Sequence, residues 1–319
     1  MGSQLGLGRL FGAAVAAVAG TWVGGATAQD TTIGVLFLDS QGFFGEIQRG
    51  ILEGAADEDI TLITDNAESD PARESEFLDT VIGAGAAAAI ISPVSTQASV
   101  PAVERVVDAG IPVVCYNTCL AEEDTERLAA GLVTTDQAEL GRVVGEVAAA
   151  ALAGASARIG MLNCDRYEAC QQRKAGFLAT LDAAGVDYEV VADQEGFIAD
   201  AATQVATEML TADPDITHIW TANEGGTIGA VLGVQAAGQE GKTVVYGTDI
   251  TMQIAQMLQD GSVLMAVAAQ QPREMGREAI RMALSMMAGG EIEERLVHVA
   301  TLVVDSADPD GIQGWIDAQ

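Results

Sequence analysis

A recurring set of polar and aromatic side chains carries the chemistry this chain can do: Asp39 to Phe44, Ser92, Tyr116-Asn117, Thr135, Asn163 to Arg166, Asn223, Asp249 and Gln270. The set is rich in planar amides and carboxylates and poor in lysine. An amide or carboxylate can bond two adjacent hydroxyls at once, and an aromatic ring can cover a C–H face. These residue types together suit a neutral polyhydroxylated ligand. Any one of them could instead be a helix cap or a turn. Their recurrence at the end of one apolar run after another is what favours a shared site.

Catalytic machinery is hard to place. The only histidines, His218 and His298, each fall inside a strand-like run, where a packed or edge residue is the simpler reading. No G-x-S-x-G elbow occurs, so a hydrolase triad lacks its parts. Gly241-Lys242-Thr243 resembles the end of a phosphate loop, but the earlier glycine it requires falls on Ala236. Gly225-Gly226 alone is a weak phosphate signal, because helix N-termini often begin with small residues. No catalytic residue, cofactor or metal is assigned.

The elements that must position these residues are apolar runs at 32–39, 60–65, 87–92, 111–117, 130–134, 157–163, 187–193, 217–222, 242–248, 261–269 and 297–304. Most are continuously apolar rather than alternating, as expected for strands of a parallel sheet covered on both faces. Helical spacing lies between them, in Phe43, Ile47, Ile51 and Ala55 and again in Leu140, Val143, Val144, Val147 and Ala151. Asp70-Pro71 reads as a cap with proline at the first helical position. Ala109-Gly110, Ala184-Gly185 and Ala237-Gly238 read as helix ends closed by a left-handed glycine. The series is βαβ and it restarts at 157. It predicts two similar doubly wound lobes, with a long helix at 136–154 opening the second. In open α/β sheets the ligand crevice lies at the carboxyl ends of the strands, where the polar set falls.

The 319 residues carry a formal charge of −31, from 46 acidic against 15 basic side chains. Such a chain repels nucleic acid and anionic lipid. Arg9 is the only charge among the first 29 residues. It precedes an apolar stretch from Leu10 to Val23 and then Ala26-Thr27-Ala28. This reads as an export signal cut after Ala28, which leaves a soluble mature chain; an uncleaved membrane anchor is the alternative, though the stretch is Gly-rich and short for a span. Export fits the cysteines, for which three pairings are open. Cys115 with Cys119 and Cys164 with Cys170 are favoured, since each closes a small loop in an oxidising compartment, with free buried thiols as the alternative. Metal-site spacing is absent from all four.

Motifs in order along residues 30–305 resemble the ribose-type periplasmic binding proteins of ABC transporters. Gln41-Gly42-Phe43-Phe44 is similar to that family's N-P-F-F segment. Ala89-Ile90-Ile91-Ser92-Pro93 resembles its Asn/Ser-Pro strand end, and Ile111-Pro112-Val113-Val114 its I-P-V strand. Thr135-Asp136 matches the S/T-D crossover. Gln172-Arg173-Lys174-Ala175-Gly176-Phe177 looks like the R-x-x-G-F helix. Ala222-Asn223-Glu224, Gly247-Thr248-Asp249 and Ala269-Gln270-Gln271-Pro272 resemble x-N-D, G-F-D and Q-x-P.

The resemblance implies an α/β type I periplasmic binding protein: two doubly wound parallel-sheet lobes joined by three crossovers, near 135, 249–270 and 297–305. Residues 1–28 would be the signal peptide, 29–134 with 271–297 the N-terminal lobe, and 135–270 with 298–319 the C-terminal lobe. Phe43, Phe44 and Phe197 would contact the sugar ring. Gln41, Ser92, Asn117, Thr135, Asn223, Asp249 and Gln270 would bond its hydroxyls, and Tyr116 stands beside Asn117. The family's helix arginine falls at Gln171 or Arg173, with Arg166 as a substitute from the loop. Asn117-Thr118 stands where the family often has Asp-Arg, and the two Cys pairs are not a usual feature, so the pocket is altered. The implied function is capture of a sugar or polyol in the periplasm and its delivery to an ABC transporter permease in the inner membrane. The binding protein would act as a monomer with no cofactor and no nucleic acid. The alternative is a receptor component for a sugar-like signal. An enzyme on a doubly wound scaffold lacks an acid/base pair, and a repressor effector domain would lack the export signal.

Overall fold

A computed structural model describes residues 1–2, 31–289 and 294–319; the apolar leader and the cut after Ala28 lie outside the described residues. The first half of the chain alternates β1 (Thr31–Phe37), α1 (Gly42–Ala55), β2 (Ile60–Asn66), α2 (Pro71–Gly83), β3 (Ala88–Ile91), α3 (Val100–Asp108), β4 (Val113–Tyr116), α4 (Glu122–Leu128) and β5 (Ala129–Thr134). The second half continues with α5 (Gln137–Ala151), β6 (Ser156–Asn163), α6 (Glu168–Ala183), β7 (Asp187–Glu195), α7 (Ala199–Ala212), β8 (His218–Thr221), α8 (Glu224–Ala236), β9 (Val244–Thr248), α9 (Met252–Asp260) and β10 (Leu264–Ala269). The chain ends with α10 (Pro272–Met287), β11 (Leu296–His298), β12 (Leu302–Asp305) and α11 (Pro309–Asp317).

The strands form two six-stranded sheets with the same winding, β11-β5-β4-β3-β1-β2 and β12-β10-β9-β8-β6-β7. Among the described residues every strand pairing is parallel except β12 on β10. The central strands β3 and β4 are buried along their whole length and β1 along all but its first two residues, whereas edge strands β2 and β7 are largely open. Continuous burial is what makes the central runs apolar on both faces. Four apolar clusters cover the two faces of the two sheets. One packs α2 and α3 on the first sheet through Leu78 and Val103, and another packs α1 and α10 through Ile47 and Ala279. On the second sheet α5 and α6 contribute Leu140 and Phe177, while α7, α8, α9 and α11 cover the other face.

Local signals act as the residue types require. The Asp70 carboxylate accepts from Ala72 N at 2.8 Å, with Pro71 opening α2. Gly110, Gly185 and Gly238 close their helices at φ of 81°, 67° and 65°.

The chain crosses between sheets after β5, after β10 and after β11. Each crossing strand is followed by an element that packs on the opposite sheet. Helix α5 leaves the first sheet to pack on α6, and α10 leaves the second to pack on α1. Both contacts need glycine: a Cβ at Gly50 would stand 1.9 Å from Arg273 O, and one at Gly141 1.8 Å from Arg173 O. Two expectations are corrected. The middle crossover is confined to 270–271, because β10 stays hydrogen-bonded to β9 up to Ala268. The apolar run at 297–304 is two strands: His298 pairs with Thr134 in one sheet, and Leu302 with Ala269 in the other.

Candidate functional site

Both sheets reverse their winding at the same place, between β1 and β3 and between β6 and β8. Ligand crevices of open α/β sheets form outside the carboxyl ends of the strands at such points. The N-termini of α1, α5, α6, α8, α9 and α10 follow those strand ends, so their N-terminal N–H groups and positive dipole ends lie on the crevice side of each sheet.

On the second lobe the polar residues form one connected network. Asp249 follows β9 with φ of 69°, a left-handed conformation that aspartate tolerates at a cost. Its backbone N–H donates to Ala268 O at 2.8 Å. Its carboxylate accepts from Glu224 N at 3.1 Å and from Gln270 Nε2 at 3.2 Å, and lies 3.8 Å from the Arg173 guanidinium. Arg173 is nearly buried, donating to Gln137 Oε1 at 2.8 Å and to Ala222 O at 2.9 Å. Asn223 caps α8 by accepting from Gly226 N at 3.1 Å, and its amide N–H donates to Phe197 O at 3.0 Å. Burial, and then the neighbouring Asp249 carboxylate, holds the Glu224 carboxyl above its usual range. Gln270 Oε1 and Thr135 Oγ1 are buried and find no hydrogen-bond partner among the described residues.

On the first lobe Asn117 follows β4 as Asp249 follows β9. Its φ is 61°, and its N–H donates to Val133 O at 2.8 Å. Asn117 O accepts from the Thr134 hydroxyl at 2.7 Å, and the Ser92 and Thr118 hydroxyls are 3.3 Å apart. The Cys115–Cys119 disulfide closes over this turn, and Cys164–Cys170 closes the loop that opens α6. Phe43 and Phe44 meet edge-to-face at 5.4 Å on the first turn of α1, while Gln41 is exposed and makes no side-chain cap.

A cleft of about 1060 Å³ lies between the lobes. Of the sequence-predicted residues it takes Phe43 from the first lobe and Asp249 and Gln270 from the second, with Ser40, Glu224 and Thr251 beside them. Ser92, Asn117, Thr135, Asn223, Arg173 and Phe197 stand at strand ends or in the network behind that lining. Two expectations change. Tyr116 is a buried strut: its hydroxyl donates to Leu36 O at 3.0 Å and accepts from Leu38 N at 3.1 Å, and its side chain is almost wholly enclosed. Arg166 is bound to the Glu195 carboxylate, with its guanidinium 5.2 Å over the Phe197 ring. Arg173, and not Gln171, is the arginine brought to Asp249, since the Gln171 amide donates to Asp165 O at 2.6 Å. Sequence reasoning gave no role to Gln137, which holds Arg173, or to the Glu224 carboxyl. The position of Gln137, two residues past Thr135 in the first turn of α5, was the available signal.

Residues 33–291 match the periplasmic binding protein domain family. The chain belongs to that family. It is 33% identical to the ABC transporter periplasmic-binding protein YphF of Escherichia coli (strain K12) over 279 residues, which is 86% of this chain and 85% of that one. A D-ribose/D-allose-binding protein of Pseudomonas aeruginosa is 32% identical over 226 residues, 70% of each chain. The crystal structure of an ABC transporter solute-binding protein from Actinobacillus succinogenes with bound D-allose superposes with a TM-score of 0.76 at 26% identity, covering 90% of this chain and all of that one. In this periplasmic binding protein two parallel-sheet α/β lobes face a shared cleft.

Proposed function

We propose that the mature protein, released by cleavage after Ala28, is a periplasmic monomer. It closes residues 29–134 with 271–297 over residues 135–270 with 298–319 on one small neutral sugar or polyol. It hands that ligand to an ABC transporter permease in the inner membrane, with no turnover. The observation that carries this reading is the Arg173–Asp249–Gln270 network at the interlobe cleft, with Gln270 Oε1 and Thr135 Oγ1 buried and lacking a hydrogen-bond partner among the described residues. A buried acceptor without a partner costs roughly 1–3 kcal/mol, which a ligand hydroxyl offsets by donating to it. Carboxylate and amide oxygens next to a partly buried arginine offer both acceptors and donors to adjacent hydroxyls. Relatives named for D-ribose and D-allose support the ligand class.

Calorimetry of the purified mature chain with D-ribose, D-allose and myo-inositol tests the reading. Saturable binding of at least one sugar, with the recovered ligand chemically unchanged, is expected. No binding of any of the three, or release of an altered product, refutes it. N-terminal sequencing of exported material is expected to begin at Gln29.

A further inference from the structure

The loop between β6 and α6 is built more firmly than a surface connection requires. Cys164 and Cys170 are bridged, and Tyr167 sits midway, its N–H donating to Cys164 O at 2.9 Å and its carbonyl accepting from Cys170 N at 3.1 Å. Lys174 reaches from α6 to the Asp165 carboxylate on this loop and to Asp193 at 2.9 Å on β7. Two side chains leave this frame toward a single ring. The Arg166 guanidinium lies 5.2 Å over Phe197, and the Tyr167 ring meets Phe197 edge-on at 5.9 Å. From the other side Asn223 donates to Phe197 O at 3.0 Å.

Stability does not account for the arrangement. The side chains of Arg166 and Glu195 are 55% and 43% exposed, and ion pairs so open to water contribute little. Tyr167 is 53% exposed, so its ring gains little from burial. What the two side chains do share is the orientation of Phe197. A phenyl ring can rotate about its χ angles unless neighbours restrict it, and a cation over its face together with an aromatic edge restrict both.

We propose that Phe197, tied to Asn223 through its carbonyl, belongs to the sugar site, that Arg166 and Tyr167 are positioning residues that hold its ring in one orientation for the ligand's C–H face, and that the Cys164–Cys170 bridge holds them. The inference rests on the sugar site proposed above and deepens it. Ligand specificity at this wall would then be set by a loop that need not touch the ligand.

The test uses the oxidised mature protein and the tightest binder among D-ribose, D-allose and myo-inositol. Arg166→Gln is expected to weaken binding by roughly two- to fivefold, as an exposed cation–π contact allows, while Arg166→Lys keeps most of the affinity. Tyr167→Ala is expected to lose up to about tenfold. In a Phe197→Leu background Arg166→Gln is expected to have no further effect; a merely structural arginine would act equally in both backgrounds. Full additivity there, or unchanged affinity in both Arg166→Gln and Tyr167→Ala, overturns the proposal. A ligand-free arm separates it from the function itself. The Arg166 methylene protons are expected to be shifted upfield by the Phe197 ring current, and the shift to vanish in Phe197→Leu. If the wild type binds none of the three sugars, the function proposed above fails. The ring-current shift then decides the clamp, and its absence sinks it.

Discussion

Asp249 joins backbone conformation, charge pairing and the proposed ligand contact in one residue, and its replacements separate the three. Asp249→Asn keeps the shape and tolerates a φ of 69°, but removes the charge facing Arg173. The side chains of Arg173 and Asp249 are 9% and 23% exposed, so the arginine is left in a largely dry setting without its counter-ion. Breaking a fully buried pair costs about 3–5 kcal/mol. The 3.8 Å separation and the partial exposure of Asp249 bring the expected loss of stability to roughly 1–2 kcal/mol. Asp249→Ala and Asp249→Gly both delete the carboxylate, leaving Glu224 N and Gln270 Nε2 without their acceptor. They differ in the backbone. Alanine at positive φ carries a left-handed penalty of about 1 kcal/mol that glycine does not. Glycine's greater freedom in the unfolded chain offsets part of that penalty, so urea denaturation should rank glycine above alanine by a smaller margin, about 0.5 kcal/mol. Calorimetry should show a ten- to hundredfold weaker affinity in all three variants, from roughly 1–3 kcal/mol of unsatisfied polar groups. An alanine variant as stable as the glycine variant, or wild-type affinity in the asparagine variant, would refute the strained-anchor account.

Three further outcomes are expected. Gly50→Ala places a Cβ 1.9 Å from Arg273 O and should destabilise by about 1–3 kcal/mol, read as a lower Tm, by forcing α1 from α10. Replacing Cys115 and Cys119 together by serine reopens a loop of sequence separation 4 and should cost about 2 kcal/mol in urea denaturation. Glu224→Gln should flatten the pH dependence of stability. The folded protein holds the Glu224 proton to higher pH than the unfolded chain, so that proton contributes stability at acid pH, and the contribution is lost as pH rises through the raised folded value. A slope between pH 4 and pH 7 that is the same in both proteins would contradict the assignment.

The fold was legible wherever burial on both sheet faces wrote itself into continuous apolar runs, as in Val113 to Tyr116. The same property hid the direction of each side chain. Val113 and Cys115 face the α2 and α3 cluster, while Val114 and Tyr116 face the α1 and α10 cluster; with both faces apolar, no alternation shows which way Tyr116 points. That is why an aromatic at a strand end read as a ligand contact when it is a strut. The run at 297–304 misled for a related reason: an extended segment that changes partner sheets stays apolar across the change. The arginine in α6 could have been settled from sequence. Cys170, Arg173, Phe177 and Leu181 are the buried stripe of that helix at three- and four-residue spacing, and Gln171 lies off it. Contacts between non-neighbouring segments, such as Arg166 over Phe197, leave no periodic trace.

The two lobes solve one geometric problem with different chemistry. In each, the residue after the fourth strand of the sheet takes a left-handed φ and donates its N–H to the next strand, Asn117 to Val133 O and Asp249 to Ala268 O, both at 2.8 Å. In each, a non-glycine residue is held in a conformation that it enters only at a cost, and such strain persists where surrounding structure enforces it. The means of enforcement differ. Around Asp249 it is electrostatic, through Arg173, Gln270 and the N-terminus of α8. Around Asn117 it is covalent, through Cys115–Cys119, with the neutral Thr134 hydroxyl donating to Asn117 O and the Ser92 and Thr118 hydroxyls paired with each other nearby. A charged network can bias a ligand's orientation from one side, and a neutral wall can then close on it without imposing a second charge requirement. That division suits a ligand whose recognition rests on the spacing of its hydroxyls rather than on any charge of its own.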